Sequence, residues 1–179
     1  LNRGEHIKND ILKDFITHLR ELENLTHSFL ERSLNKWHLY SWHGFYDYLQ
    51  DKLGDGEWDA VSGQINSFLG FWWHWHNDKD YALYLQLEKA DLCFKIDVYS
   101  KKKRAELKRK WSDRFFKASE GSSLKLADPV CQKDNAITVA MVEGDYRKTN
   151  KNGKIALEKT LNVIKEAQNV YDKAIKNDM

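Results

Sequence analysis

Three tryptophans and two histidines fall within five positions at Trp72-Trp73-His74-Trp75-His76. In an extended strand successive side chains alternate between faces, so Trp73 and Trp75 share one side while Trp72, His74 and His76 share the other. Two imidazoles at i, i+2 can hold a metal. A catalytic zinc needs a third protein ligand, and neither an HExxH pattern nor a paired-cysteine motif supplies one. Aromatic packing around hydrogen-bonded imidazoles is the expectation here, with no metal assigned. Left exposed, such rings would stack unpaired bases.

The densest run of cations spans Lys101-Lys102-Lys103-Arg104-Ala105-Glu106-Leu107-Lys108-Arg109-Lys110, with Arg114 and Lys117 beyond it. Wound as a helix, it aligns Lys103, Lys110, Arg114 and Lys117 along one side. Lys102, Glu106, Arg109 and Asp113 alternate in sign along another, as i, i+4 ion pairs do. Cations at helical spacing neutralise backbone phosphates without reading sequence. Lys103, Arg104, Lys110, Arg114 and Lys117 are therefore the candidate phosphate contacts, with Trp72 or Trp75 stacking a base. The competing expectation is an ordinary solvated helix face.

Metal-dependent nucleases gather carboxylates and a lysine around a divalent cation. The acids Glu88, Asp91 and Asp97 are not followed by a lysine two residues on, and Glu143-Gly144-Asp145 reads as a solvated turn. No glycine-rich phosphate cradle, nucleophile elbow or spaced Cys/His pair occurs. The chain is thus assigned no catalytic residue and no cofactor of its own. A site assembled from His74, His76, Glu88 and Asp145 would be the one enzymatic arrangement left, and it would require metal-dependent cleavage.

The elements that position these residues follow from periodicity. Ile7, Ile11, Leu12, Phe15, Ile16, Leu19, Leu22 and Leu25 recur at three and four, which predicts a helix over about 5–31. Ser41 reads as the N-cap of a second helix carrying Trp42, Phe45, Tyr46, Leu49 and Leu53, ended by Gly54 at C′. From about Trp58 the pattern turns β-rich. Phe68–His76, Tyr81–Glu88 and Leu92–Tyr99 read as successive antiparallel strands, the last two forming a hairpin about Lys89-Ala90-Asp91. Leu83, Leu85 and Leu87 face Leu92, Phe94 and Ile96 on one side, with Lys95 and Asp97 opposite, so one face needs a helical cover. A third helix from Lys101 to about Ala118 offers Leu107, Trp111, Phe115 and Ala118. Leu124 to Asn135 reads as a loop and Ala136–Val142 as a strand. A final helix over about 154–176 turns Leu157, Leu161, Ile164, Ala167, Tyr171 and Ile175 inward.

That order predicts an α+β fold: an antiparallel sheet of about four to five strands covered by helices, with two N-terminal helices and a long C-terminal one. It reads as a single domain over 1–179, helical over 1–54 and sheet-based over 58–179. A length of 179 residues is enough for one core, while 41% hydrophobic, 13% aromatic and 31% charged residues exclude both a membrane-embedded and a disordered chain. With 29 Lys and Arg against 27 Asp and Glu, no global field draws the chain to a polyanion. Any electrostatic targeting must be local. Two cysteines cannot build a disulfide scaffold, Cys93 sits in an apolar run, and no signal-peptide core is present, so a cytoplasmic setting is expected. A start at Leu1 suggests processing or a longer parent.

Taken together, Gly70-Phe71-Trp72-Trp73-His74-Trp75, Tyr84-Leu85-Gln86-Leu87-Glu88, Leu92-Cys93-Phe94-Lys95-Ile96, Arg104, Trp111 and Ile137–Tyr146 form an ordered set. In that order they resemble the C-terminal half of bacterial proteins of the PD-(D/E)XK nuclease superfamily, a group linked to defence against foreign DNA. The resemblance spans roughly Trp58 to Ala174. It implies an accessory, nucleic-acid-contacting region whose metal-binding core, with its own E-x-K strand, lies upstream. No segment here matches that core, so no catalytic residue transfers, and a divalent metal would belong to the core. The implied partners are nucleic acid and that upstream core or a second copy; a protein-interaction or oligomerisation module is the alternative.

Overall fold

The structure, a computed structural model, describes residues 10–61, 68–129 and 136–176. Among them are four α-helices, α1 (Asp10–His27), α2 (Leu39–Leu53), α3 (Arg104–Ser119) and α4 (Leu157–Lys176). Six strands accompany them: β1 (Glu57–Val61), β2 (Phe68–Asn77), β3 (Tyr81–Glu88), β4 (Asp91–Val98), β5 (Leu126–Ala127) and β6 (Ala136–Val142). The strands form one antiparallel sheet in the order β1-β2-β3-β4-β6-β5. The α+β class stands, with one strand more than expected. The addition is β5, inside the stretch read as a loop; two residues paired to Val142 and Met141 leave no periodic signal. No helix among the described residues is long and apolar enough to cross a membrane.

Contacts divide the chain into two compact units, 1–52 with 149–155, and 53–148 with 156–179. In the first, α1 and α2 meet through Phe29, Trp37 and Phe45, whose ring centroids lie 5.2 to 6.2 Å apart. Gly44 permits the approach, since a Cβ there would collide with the Thr26 carbonyl. Ser41 is not the N-cap of α2. It lies buried inside the helix, its hydroxyl 2.8 Å from that of Ser28 and accepting the His38 N–H at 3.4 Å. Gly54, at φ 67°, ends α2 as expected, because a left-handed residue closes a helix without a Cβ penalty.

The second unit holds the sheet. On one face Phe71, Trp73, Leu83, Leu85, Leu87, Phe94 and Ile96 are buried. The stripe expected on α3 covers them: Leu107, Trp111, Phe115 and Ala118 are its buried residues. Phe94 meets Phe115 at 4.7 Å and Tyr81 meets Trp111 at 5.6 Å. Burying each such side chain contributes about 1.5–3 kcal/mol, so this layer is the main source of cohesion. On α4 the inward side is rotated from expectation. Ile164, Ala167 and Tyr171 are buried as expected, but Thr160, Val170 and Ala174 join them in place of Leu157, Leu161 and Ile175. Thr160 is admissible there because its hydroxyl accepts the Lys148 N–H at 3.0 Å.

Candidate nucleic-acid interface

The tryptophan–histidine segment lies in β2, but not as a regular strand. The register to β3 runs Trp73↔Leu85 and then His76↔Leu83, so one extra residue is accommodated between them. His74 takes it up in the left-handed region, at φ 62°. Its backbone N–H donates to Asp55 Oδ2 at 3.3 Å and its Nε2 lies 2.7 Å from Oδ1 of Asp172 on α4. The simple alternation is thereby corrected. Trp75 returns to the side of Trp72, and Trp73 faces the helices with His76, the register partner of Leu83. Trp75 stacks on Tyr84 with centroids 4.2 Å apart, and nearly half of it, 48%, remains exposed.

The candidate phosphate contacts all lie at or in α3. Lys103, in a 3₁₀ turn just before the helix, donates to Asp80 Oδ2 at 2.7 Å, and that pairing holds the Asp80 carboxyl below its usual range. Arg104 is half-buried at the first turn of α3. Lys110 and Arg114 sit over the Trp111 ring, 5.6 and 5.2 Å from its centroid, which fixes a cation beside the buried stripe. Lys110 and Lys117 are exposed, as are Lys101, Lys102 and Arg109. The α3 cations thus share one helix, whereas Trp72 and Trp75 lie on the sheet face that α3 does not cover. The structure does not bring the two sets together.

That second face is more enclosed than a solvated sheet surface. Tyr84, Gln86, Cys93, Lys95 and Thr138 are all buried on it. Lys95 is ion-paired with Glu88, their side chains 6% and 21% exposed. Burial, reinforced by the charges of Asp97 and Glu88, pushes the Tyr84 hydroxyl up to about 12, and burial and the Glu88 charge raise the Cys93 thiol to about 12. Cys93 is therefore a free, inert thiol at ordinary pH. Cys131 lies outside the described residues. A spatial lysine–carboxylate pair of this kind carried no local signal, because it depends on the β3–β4 register.

The arrangement His74, His76, Glu88 and Asp145 is not assembled. His74 turns to Asp172, Glu88 lies on the opposite sheet face with Lys95, and Asp145 is held bidentately by Arg147 at 3.0 and 2.8 Å. Asp91 adds a further carboxyl near Glu88 and Asp145, and burial with those two charges raises its pKa. Even so, no cluster of three or more His, Cys, Asp or Glu among the described residues could hold a metal. No family model matches this chain, and no curated protein or solved structure matches it either.

Proposed function

We propose that this chain is the accessory, nucleic-acid-contacting domain of a PD-(D/E)XK nuclease-like bacterial protein, and that α3 with its leading turn makes the contact. One observation carries the reading. Residues 101–117 hold nine Lys or Arg against two carboxylates, a surplus of seven, in a chain whose net charge is +2. The remainder is thus negative by five. Because the apolar stripe of α3 is turned into the core, the excess positive charge is displayed outward. The ordered strand blocks that resemble the nuclease group support the parent assignment.

Fluorescence anisotropy with a labelled oligonucleotide tests the contact. If five phosphates are neutralised, raising salt from about 50 to about 200 mM weakens binding about 500-fold. Reversing Lys110 and Lys117 to glutamate removes it. Absence of binding at the lower salt overturns the reading.

A second reading, self-association, is favoured by α1. None of its residues is buried, and Ile11, Leu12 and Phe15 are 77%, 47% and 57% exposed. Leu12, Phe15, Leu19 and Leu22 continue a three–four repeat that suits pairing with a second α1. Sedimentation equilibrium showing a dimer that Phe15→Glu dissociates would favour it; a monomer at all concentrations would reject it.

A further inference from the structure

Tyr99 stands one position beyond β4 and two before Lys101, and at 59% it is the most exposed aromatic side chain among the described residues. Its place is fixed through the backbone. The Tyr99 N–H donates to the Asp80 carbonyl at 3.1 Å, Lys103 Nζ donates to the Asp80 carboxylate at 2.7 Å, and the Lys103 N–H donates to the Ser100 carbonyl at 3.0 Å. One residue of the β2–β3 turn thus holds both the ring and the start of the basic run. Lys103 engages the Asp80 charge, while Lys79, Lys101 and Lys102 are exposed at the same junction, with Asp78 the acid beside them.

An extended chain advances about 3.3–3.6 Å per residue, so Tyr99 and Lys101 are no more than about 7 Å apart along the backbone. A ring and a cation at that spacing suit one nucleotide, the base stacking and the adjoining phosphate being neutralised. From there the cations of α3 continue along a helix of 16 residues, about 24 Å long. A duplex keeps its base faces within the stack, so an unpaired strand is the ligand that can use the tyrosine. An anionic membrane also attracts lysines and aromatics, but it is a plane and would meet the rest of the chain, which is negative by five. A strand follows the basic line alone.

We infer that the basic surface takes single-stranded nucleic acid in preference to duplex, with Tyr99, rather than Trp72 or Trp75, as the residue that stacks an unpaired base beside Lys101 and Lys102. Contact of nucleic acid with α3 and its leading turn is the premise of this assignment, which adds the form of the ligand.

The test is fluorescence anisotropy of the full chain with a labelled single strand and with the duplex of the same sequence, at matched salt. The single strand binds more tightly. Tyr99→Ala weakens it about fivefold or more, leaves duplex affinity and the salt slope in place, and keeps the melting temperature of the parent. Tyr99→Phe, which retains a ring face, binds the single strand as the parent does. Equal losses on single strand and duplex, or a Tyr99→Ala loss seen on phosphatidylserine vesicles but not on the strand, would overturn the inference. Binding of both oligonucleotides that Tyr99→Ala leaves untouched overturns the role of Tyr99 and spares contact through α3; binding of neither at about 50 mM salt overturns both.

Discussion

His74 Nε2 lies 2.7 Å from Asp172 Oδ1, joining the bulge of β2 to the C-terminal helix, 98 positions on in the sequence. The contact anchors a residue whose backbone is at φ 62°, a conformation that costs a side chain about 1–2 kcal/mol. The bulge sets the side on which every later residue of β2 emerges, so it also places Trp75 on Tyr84.

The strain gives a test of sign. His74→Ala loses the carboxylate contact and keeps the strain; His74→Gly loses the contact and relieves the strain. Glycine is therefore expected to be more stable than alanine by about 1 kcal/mol in urea denaturation. At an ordinary strand position the order is the reverse.

Lys89 opens the turn between β3 and β4 at φ 53°, with Glu88 and Asp91 paired across it. Lys89→Gly should raise stability by about 0.5–1 kcal/mol, measured as a higher denaturation midpoint at unchanged slope.

The Lys95–Glu88 pair predicts strong coupling. Lys95→Met leaves Glu88 charged and largely enclosed, at a cost of about 3 kcal/mol. Adding Glu88→Leu removes the stranded charge and recovers most of the loss. A double-mutant cycle in which the two effects simply add would contradict the pairing.

Asp91 has a folded-state pKa above its unfolded value, from burial and the neighbouring Glu88 and Asp145 charges. The folded state therefore holds this proton more tightly, and its contribution to stability is lost as pH rises through that window, from just below 4 upward. Asp91→Asn is expected to melt higher than the parent at pH 7 and to match it near pH 3. Equal melting temperatures at both values would show that the carboxyl is unperturbed.

Much of the second unit was legible because its signals are local. The α3 stripe of Leu107, Trp111, Phe115 and Ala118 follows helical period, and the β3–β4 hairpin follows alternation. The side on which Trp75 emerges was not legible, since the extra residue at His74 is fixed by Asp55 and Asp172, distant in sequence. Nor was the burial of Lys95, whose partner is supplied by strand register rather than by spacing. On α4, apolar residue types alone picked Leu157 and Leu161, whereas a satisfied hydroxyl let Thr160 take the inward position. The basic helix was visible as a charge run; the engagement of Lys103 by Asp80 was not.

The most direct measurement is the slope of log affinity against log salt for an oligonucleotide, compared between the parent chain and the Lys110→Gln/Lys117→Gln variant. If both lysines neutralise phosphates, the slope becomes shallower by about 1.8 on duplex DNA. A slope identical to that of the parent would contradict contact through α3.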